Sequence, residues 1–119
     1  DSSVSSEYSS RPLPHMIRKN MKQLQIDDPK QVIKIDDTCV GIQEGINAGC
    51  YTVGVARWSV NMDMFSLDTL TKEAFTEGTI NHKDIINHKL IESRRRLKDA
   101  GADFVIDTLD ELPSIIKTI

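Results

Sequence analysis

The stretch 31-QVIKIDDTCVGIQEGINAGCYTVGVA-56 decides the fold. Val32-Ile33-Lys34-Ile35 is short, rich in β-branched residues and ends abruptly on two carboxylates, Asp36 and Asp37, the signature of a buried strand. Thr38-Cys39-Val40-Gly41 leads into a short helix over 42–48, and Gly49 stands where a left-handed residue stops a helix. Residues 51–56, YTVGVA, read as a second strand. Strand, turn, helix and strand in about 25 residues make a right-handed βαβ unit of a parallel sheet.

Working outward, a helix is expected from about Leu13 to Gln25, with Leu13, Ile17, Met21 and Leu24 on one face and Pro14 in its first turn. Asp27-Asp28-Pro29 breaks it, because the residue before proline disfavours the α region. Residues 57–80 are the least legible part, an excursion from the sheet with a helix near 67–76. Asn81 then caps a helix whose stripe is Ile86, Leu90, Leu97 and Ala100, closed by Gly101. Residues 103–106, DFVI, form a third strand. Thr108-x-x-Glu111 opens a last helix as a capping box, with Leu109, Leu112, Ile116 and Ile119 facing inward and Pro113 disturbing the first turn.

At 119 residues the chain is one unit: a serine-rich flexible arm over 1–10, then a single α/β domain over 11–119. The 39% hydrophobic and 28% charged residues fit an ordinary soluble globular protein. No run approaches the roughly 20 apolar residues of a membrane span, so no membrane partner is expected. A net charge of −3 excludes nucleic acid as the default partner, since neutralising phosphates needs a basic face. Cys39 and Cys50 lack metal or redox spacing and read as reduced thiols, which with the lack of a secretory pattern in DSSVSSEYSS gives a cytoplasmic expectation, organelles remaining open. A start on Asp instead of Met points to a processed chain or a piece of something longer.

Chemistry is expected where the sheet opens, at the carboxyl ends of its strands. Asp36 and Asp37 sit at such an end, and hard cations such as Mg²⁺ take one or two carboxylates plus substrate phosphate oxygens. The competing reading makes Asp36 a cap for the following turn and Asp37 a solvated residue. His82 and His88 lack the spacing of a zinc helix, and Arg94-Arg95-Arg96 reads as a solvated helix face. His15 reads as a solvated first-turn residue, Cys39 has no neighbouring base, and Trp58 reads as a contact for another chain or the missing half, or at least equally as core packing or incidental surface exposure.

IDDTCVGIQEGINAGCYTVGV resembles the metal loop, helix and following strand of haloacid dehalogenase-type phosphohydrolases, and 10-SRPLPHM-16 resembles their basic motif. Together with Lys19-Asn20 and the tail 94-RRRLKDAGADFVIDTLDELPSII-116, the pattern is similar to phosphonoacetaldehyde hydrolases. The resemblance covers about residues 11–119 and implies a three-layer, Rossmann-like core of which this chain is the C-terminal half. It implies that Arg11 neutralises the nucleophilic carboxylate and the phosphoryl oxygens, and that Asp37 ligates Mg²⁺. The implied substrate is a small phosphorylated or phosphonate molecule; in the phosphonoacetaldehyde case a cap lysine forms an imine with the aldehyde carbon, and the carbon–phosphorus bond then breaks. The loop departs from the phosphonatase pattern, which has glycine at position 36 and aspartate at 41; its Asp36-Asp37-Thr38 with Gly41-Ile42 follows the β-phosphoglucomutase type, with Asp36 as a replacement metal carboxylate. Ser10 stands in place of a glycine.

The family's nucleophile motif, of DxAGT type, and the segment bearing the cap lysine are absent from these residues. The chain by itself is therefore expected to be inactive, and its partners are the missing N-terminal half, another protein chain or a second copy of itself. The rival expectation is a degenerate, non-catalytic structural or interaction subunit. A phosphatase or mutase of the same superfamily is a further one.

Overall fold

The computed structural model describes residues 11–62 and 82–119. Helix α1 (His15–Gln23) leads to a 3₁₀ turn at Pro29–Gln31 and strand β1 (Ile33–Asp36), then α2 (Cys39–Ala48) and β2 (Tyr51–Val55). A 3₁₀ turn at Val60–Met62 follows. Helix α3 (His82–Asp99), strand β3 (Phe104–Ile106), a 3₁₀ turn at Leu109–Glu111 and α4 (Leu112–Thr118) complete the described elements. The three strands form one parallel sheet in the order β1-β2-β3, with Lys34 beside Thr52 and Asp36 beside Gly54. This is the expected α/β architecture, a parallel sheet with flanking helices.

Local chemistry explains these boundaries. Thr38 is the N-cap of α2, its hydroxyl accepting from the Gly41 N–H, and Gly49 ends the helix at φ 83°, a conformation costly for any residue with a Cβ. At the far end of the chain, Thr108 and Glu111 form the expected capping box, the Glu111 carboxylate accepting from the backbone N–H groups of Asp107 and Thr108 at 2.8 and 3.1 Å. Thr52 and Asp103 exchange bonds that tie the start of β3 to β2: the Thr52 N–H and hydroxyl donate to the Asp103 carboxylate, and the Asp103 N–H donates back to the hydroxyl.

Alternation along β1 is the feature that places the site. Lys34 and Asp36 share the face that α2 covers, and an ideal Cβ on Gly45 of α2 would crowd the Lys34 and Thr52 side chains. On the same face of β2, Gly54 leaves room for Leu97 of α3. The core gathers Ile42, Ala56, Met62, Leu90, Leu97 and Ala102, with a smaller cluster of Ile17, Met21, Ala48 and Cys50 between α1 and α2. Ile35, on the opposite face of β1, keeps 37% of its surface exposed, and β1 is an edge of the sheet among the described residues.

Several expected details differ. The first helix is shorter than the expected 13–25: a backbone reversal with Gln25 at φ 59° follows Gln23, which leaves Leu24, like Leu13, exposed while Ile17 and Met21 are buried. Along α3, Leu90 and Leu97 are buried as expected, but Ile85 joins them while Ile86 and Ala100 are only partly covered. Of the inward face expected for the last helix, Leu112 is half-buried while Leu109, Ile116 and Ile119 are exposed among the described residues. The serine-rich arm 1–10, the helix near 67–76 and the Asn81 cap lie outside the described residues.

Leu97 is fully buried against Gly54 and the rest of the main cluster. Leu97→Ala is expected to cost about 2–5 kcal/mol, from lost transfer energy plus the cavity left behind, read as a fall in melting temperature.

Candidate functional site

Arg11 enters just before α1, Lys34 and Asp36 stand on the α2-facing side of β1, and Glu44 points back from α2. The four meet in a ring of alternating charge. Arg11 Nη2 donates to Asp36 Oδ2 at 2.6 Å, Lys34 Nζ lies 3.4 Å from the same oxygen and 3.0 Å from Glu44 Oε1, and Arg11 Nε lies 3.6 Å from Glu44 Oε2. Glu44 is completely buried, and neither of its oxygens has an aligned hydrogen bond among the described residues. Among the described residues its charge is met by these two cations, and taking one partner from such a buried pair typically costs about 3–5 kcal/mol.

Asp36 is held from both sides. Its Oδ1 accepts from the Thr38 N–H at 2.8 Å and the Thr38 hydroxyl at 2.6 Å, while Oδ2 faces the two cations. Burial alone would raise its pKa; the two Thr38 bonds and the Arg11 and Lys34 charges outweigh it and hold the carboxyl below its ordinary 3.8. The turn-capping role considered from the sequence is therefore present, with an added ion pair to Arg11.

Asp37, by contrast, is exposed at the carboxyl end of β1. Its main chain is fixed from behind: Ser59 Oγ donates to the Asp37 carbonyl at 2.5 Å and Asn61 Nδ2 donates to it at 3.2 Å. Ser59 and Asn61 are themselves buried and bonded to each other. The loop after β2 thus anchors the residue that follows β1. Trp58 heads that loop at φ 62° with 59% of its surface exposed.

A second charged pair marks the end of β3. Arg94 of α3 binds the Asp107 carboxylate with two nitrogens, at 2.7 and 2.6 Å. Arg95 and Arg96 pair instead with Glu92, and Arg95 also with Asp99, along the exposed face of α3, in keeping with a solvated run. His88 is exposed on the same helix. Both cysteines are free thiols, and burial, opposed by Lys30 and Lys34, pushes the Cys50 thiol upward, away from reactivity. Among the described residues no group of three or more His, Cys, Asp or Glu gathers in a way that could hold a metal ion.

Of the three residues singled out from the sequence, the structure joins Arg11 to Asp36 and sets Asp37 beside them, facing outward. Lys34, Glu44, Ser59 and Asn61 were missed. Lys34 was legible in principle, two residues before Asp36 and so on the same strand face; Glu44 lies three residues after Gly41 and so on the same helix face. Nothing in the sequence marked Ser59 and Asn61, whose role depends on where the loop after β2 returns.

The Arg94 hydrogen bonds, opposed by burial, hold the Asp107 carboxyl below 3.8. A depressed carboxylate pKa adds stability that is complete above the unfolded value and lost as pH falls through the folded one. Asp107→Asn is expected to destabilise the protein slightly at pH 7, by under about 1 kcal/mol for so exposed a pair, with the difference in melting temperature shrinking as pH falls below 3.8. A difference between the two proteins that does not shrink on acidification would contradict the assignment.

No family model matches the chain. Curated relatives do: it is 33% identical over 111 residues to the phosphonoacetaldehyde hydrolase of Bacteroides fragilis, covering 93% of this chain and 39% of that protein. It is 36% identical over 111 residues to the phosphonoacetaldehyde hydrolase of Parabacteroides distasonis, with the same two coverages. The chain therefore spans about two fifths of the length of the curated relatives it matches. Among solved structures, a phosphonoacetaldehyde hydrolase-like protein from Oleispira antarctica superposes with a TM-score of 0.68 at 28% identity, over 92% of this chain and 36% of that one. A haloacid dehalogenase-like protein from Agrobacterium tumefaciens, at 20% identity and a TM-score of 0.64 over 97% of this chain and 40% of that one, shares the fold. The charged knot at the end of β1 is thus built on a known frame, and the chain belongs to the haloacid dehalogenase superfamily, among its phosphonoacetaldehyde hydrolase-like members.

Proposed function

We propose that this chain supplies the basic and metal-binding side of a phosphonoacetaldehyde hydrolase-like active site, which cleaves a carbon–phosphorus bond to give acetaldehyde and phosphate. The observation that carries the reading is the meeting of Arg11 with the Asp36-Asp37 end of β1, at the place where an α/β sheet binds its ligand. A guanidinium fixed on two carboxylates and still 35% exposed can meet phosphoryl oxygens without reorganising.

The donor set fits one part of a Mg²⁺ site. Asp37 is an exposed carboxylate on an anchored main chain, and Mg²⁺ commonly takes one or two protein carboxylates with water and phosphate oxygens making up the rest. Asp36, the second metal ligand expected from the sequence, has Thr38, Arg11 and Lys34 around its oxygens and borders that site as a counter-ion. Bound there, Mg²⁺ would supply charge neutralisation at phosphorus. The residues of this chain do the remaining work: Arg11 orients the phosphoryl group, Glu44 and Lys34 hold the charge balance behind it, and Ser59 and Asn61 keep Asp37 in place.

The nucleophilic aspartate and the imine-forming lysine come from outside these residues. Among the described residues β1 leaves an open edge for a further strand to pair with and Ile35 half-open on one face for another element to cover, supplied by the rest of the polypeptide, by another chain or by a second copy. A cytoplasmic site of action suits a soluble hydrolase of a small phosphonate. The rival, a non-catalytic structural subunit, accounts for the missing nucleophile but gives no physical reason to hold an exposed carboxylate, Asp37, beside the part-exposed guanidinium of Arg11 at the end of β1.

The test uses the protein expressed with its complete coding sequence and phosphonoacetaldehyde as substrate. Asp37→Asn is expected to lower turnover roughly a hundredfold or more and to raise the Mg²⁺ concentration required, in line with the loss of one electrostatic stabiliser. An active parent whose Asp37→Asn variant keeps its turnover and its metal requirement rules out the assigned site. A parent inactive on phosphonoacetaldehyde rules out the substrate, and inactivity on phosphate monoesters as well would leave the structural reading.

A further inference from the structure

Positions 36 and 41 share one volume. A Cβ added to Gly41 would overlap Cγ and Oδ2 of Asp36 and Nη2 of Arg11, so the space over this glycine is filled by the ion pair itself. The other carboxylate oxygen of Asp36 is occupied by Thr38, and Lys34 Nζ stands 3.4 Å from Oδ2. A Mg²⁺ ion binds carboxylate oxygen at about 2.0–2.1 Å and demands near-octahedral freedom around itself. Two cations already face Oδ2, and a divalent ion added there would meet like charge on both sides.

We infer that Asp36 is a positioning residue that acts through Arg11, not a ligand of the metal. Together with Glu44 it holds the guanidinium over the carboxyl end of β1. Gly41 is the residue that makes this possible, since any side chain there would evict either the carboxylate or the guanidinium. Metal ligation by this chain then falls to Asp37. That Arg11 so held serves a phosphoryl group rests on the function proposed above; the coupling of positions 36 and 41 through Arg11 does not, so the two fail separately.

The experiment compares Asp36→Gly, Gly41→Ala and the double variant, in the full polypeptide, by thermal melting in EDTA. Gly41→Ala is expected to lower the melting temperature of the parent by about 2–4 °C or more, the smaller end of the usual range because the full polypeptide is larger than this chain. In the Asp36→Gly background the same change should cost less than half as much, because only the flexible end of Arg11 then has to move. Equal losses in the two backgrounds overturn the coupling. If Gly41→Ala prevents folding in both, the cycle of Arg11→Met with Asp36→Asn decides: additive losses overturn the pair, non-additive ones support it. The ligand question is read from Asp36→Asn, which keeps an oxygen for Thr38 and loses the charge. Its fall in melting temperature should be the same in EDTA and in saturating Mg²⁺; a larger fall with Mg²⁺ would make Asp36 a metal ligand and overturn the inference.

Discussion

A buried carboxylate facing two cations is the constraint around which this structure is arranged. Glu44 has no access to water and no aligned hydrogen bond among the described residues, so it is tolerable only while Lys34 and Arg11 stay within reach. Lys34 must then face α2, which fixes the register of β1 and sends Asp36 to the same side two residues later. Arg11 must cross from the segment before α1 to the end of β1, which draws α1 against α2 and buries Ile17 and Met21 there. The net charge of the ring is zero, and the exposed Asp37 beside it carries the local excess of negative charge.

Much of this frame was legible before any coordinates. The β-branched run at 32–35, the glycine at 49 and the strand at 51–56 are local signals whose physics does not depend on distant contacts; the helix stops on Gly49, and the strands lie within a residue of their expected bounds, at Ile33–Asp36 and Tyr51–Val55. The parallel pairing follows from the helix between the strands. What the sequence could not disclose is who faces whom. Val32 to Ile35 reads as a uniformly buried strand, yet its lysine turns toward α2 and its second isoleucine toward an uncovered face. The last helix shows the same limit: its apolar residues have the right spacing, but a helical period states only that a face exists and not that anything covers it.

The candidate site divides in the same way. Arg11, Asp36 and Asp37 came from motif order, whereas Glu44 is an ordinary helix residue until the fold buries it. The loop also departs from the phosphonatase pattern at two positions, 36 and 41, and in space these are a single feature. A carboxylate at 36 occupies the room over Gly41, so neither residue can be understood without the other. Sequence spacing along a strand, a turn and a helix hides this, because the two positions lie in different elements. The chain keeps one negative group in that volume, and its partner is the arginine.

The account depends on the Arg11 guanidinium being held, and side-chain ¹⁵N spectroscopy reads that directly. In the parent protein, rotation of the Arg11 guanidinium about its Nε–Cζ bond should be slow, with its Nη hydrogens protected from exchange, because Asp36 and Glu44 grip it from two sides. In Asp36→Asn the rotation should quicken and the protection fall. An Arg11 that already rotates and exchanges in the parent like a fully solvated arginine would contradict the central claim, whatever the activity of the protein.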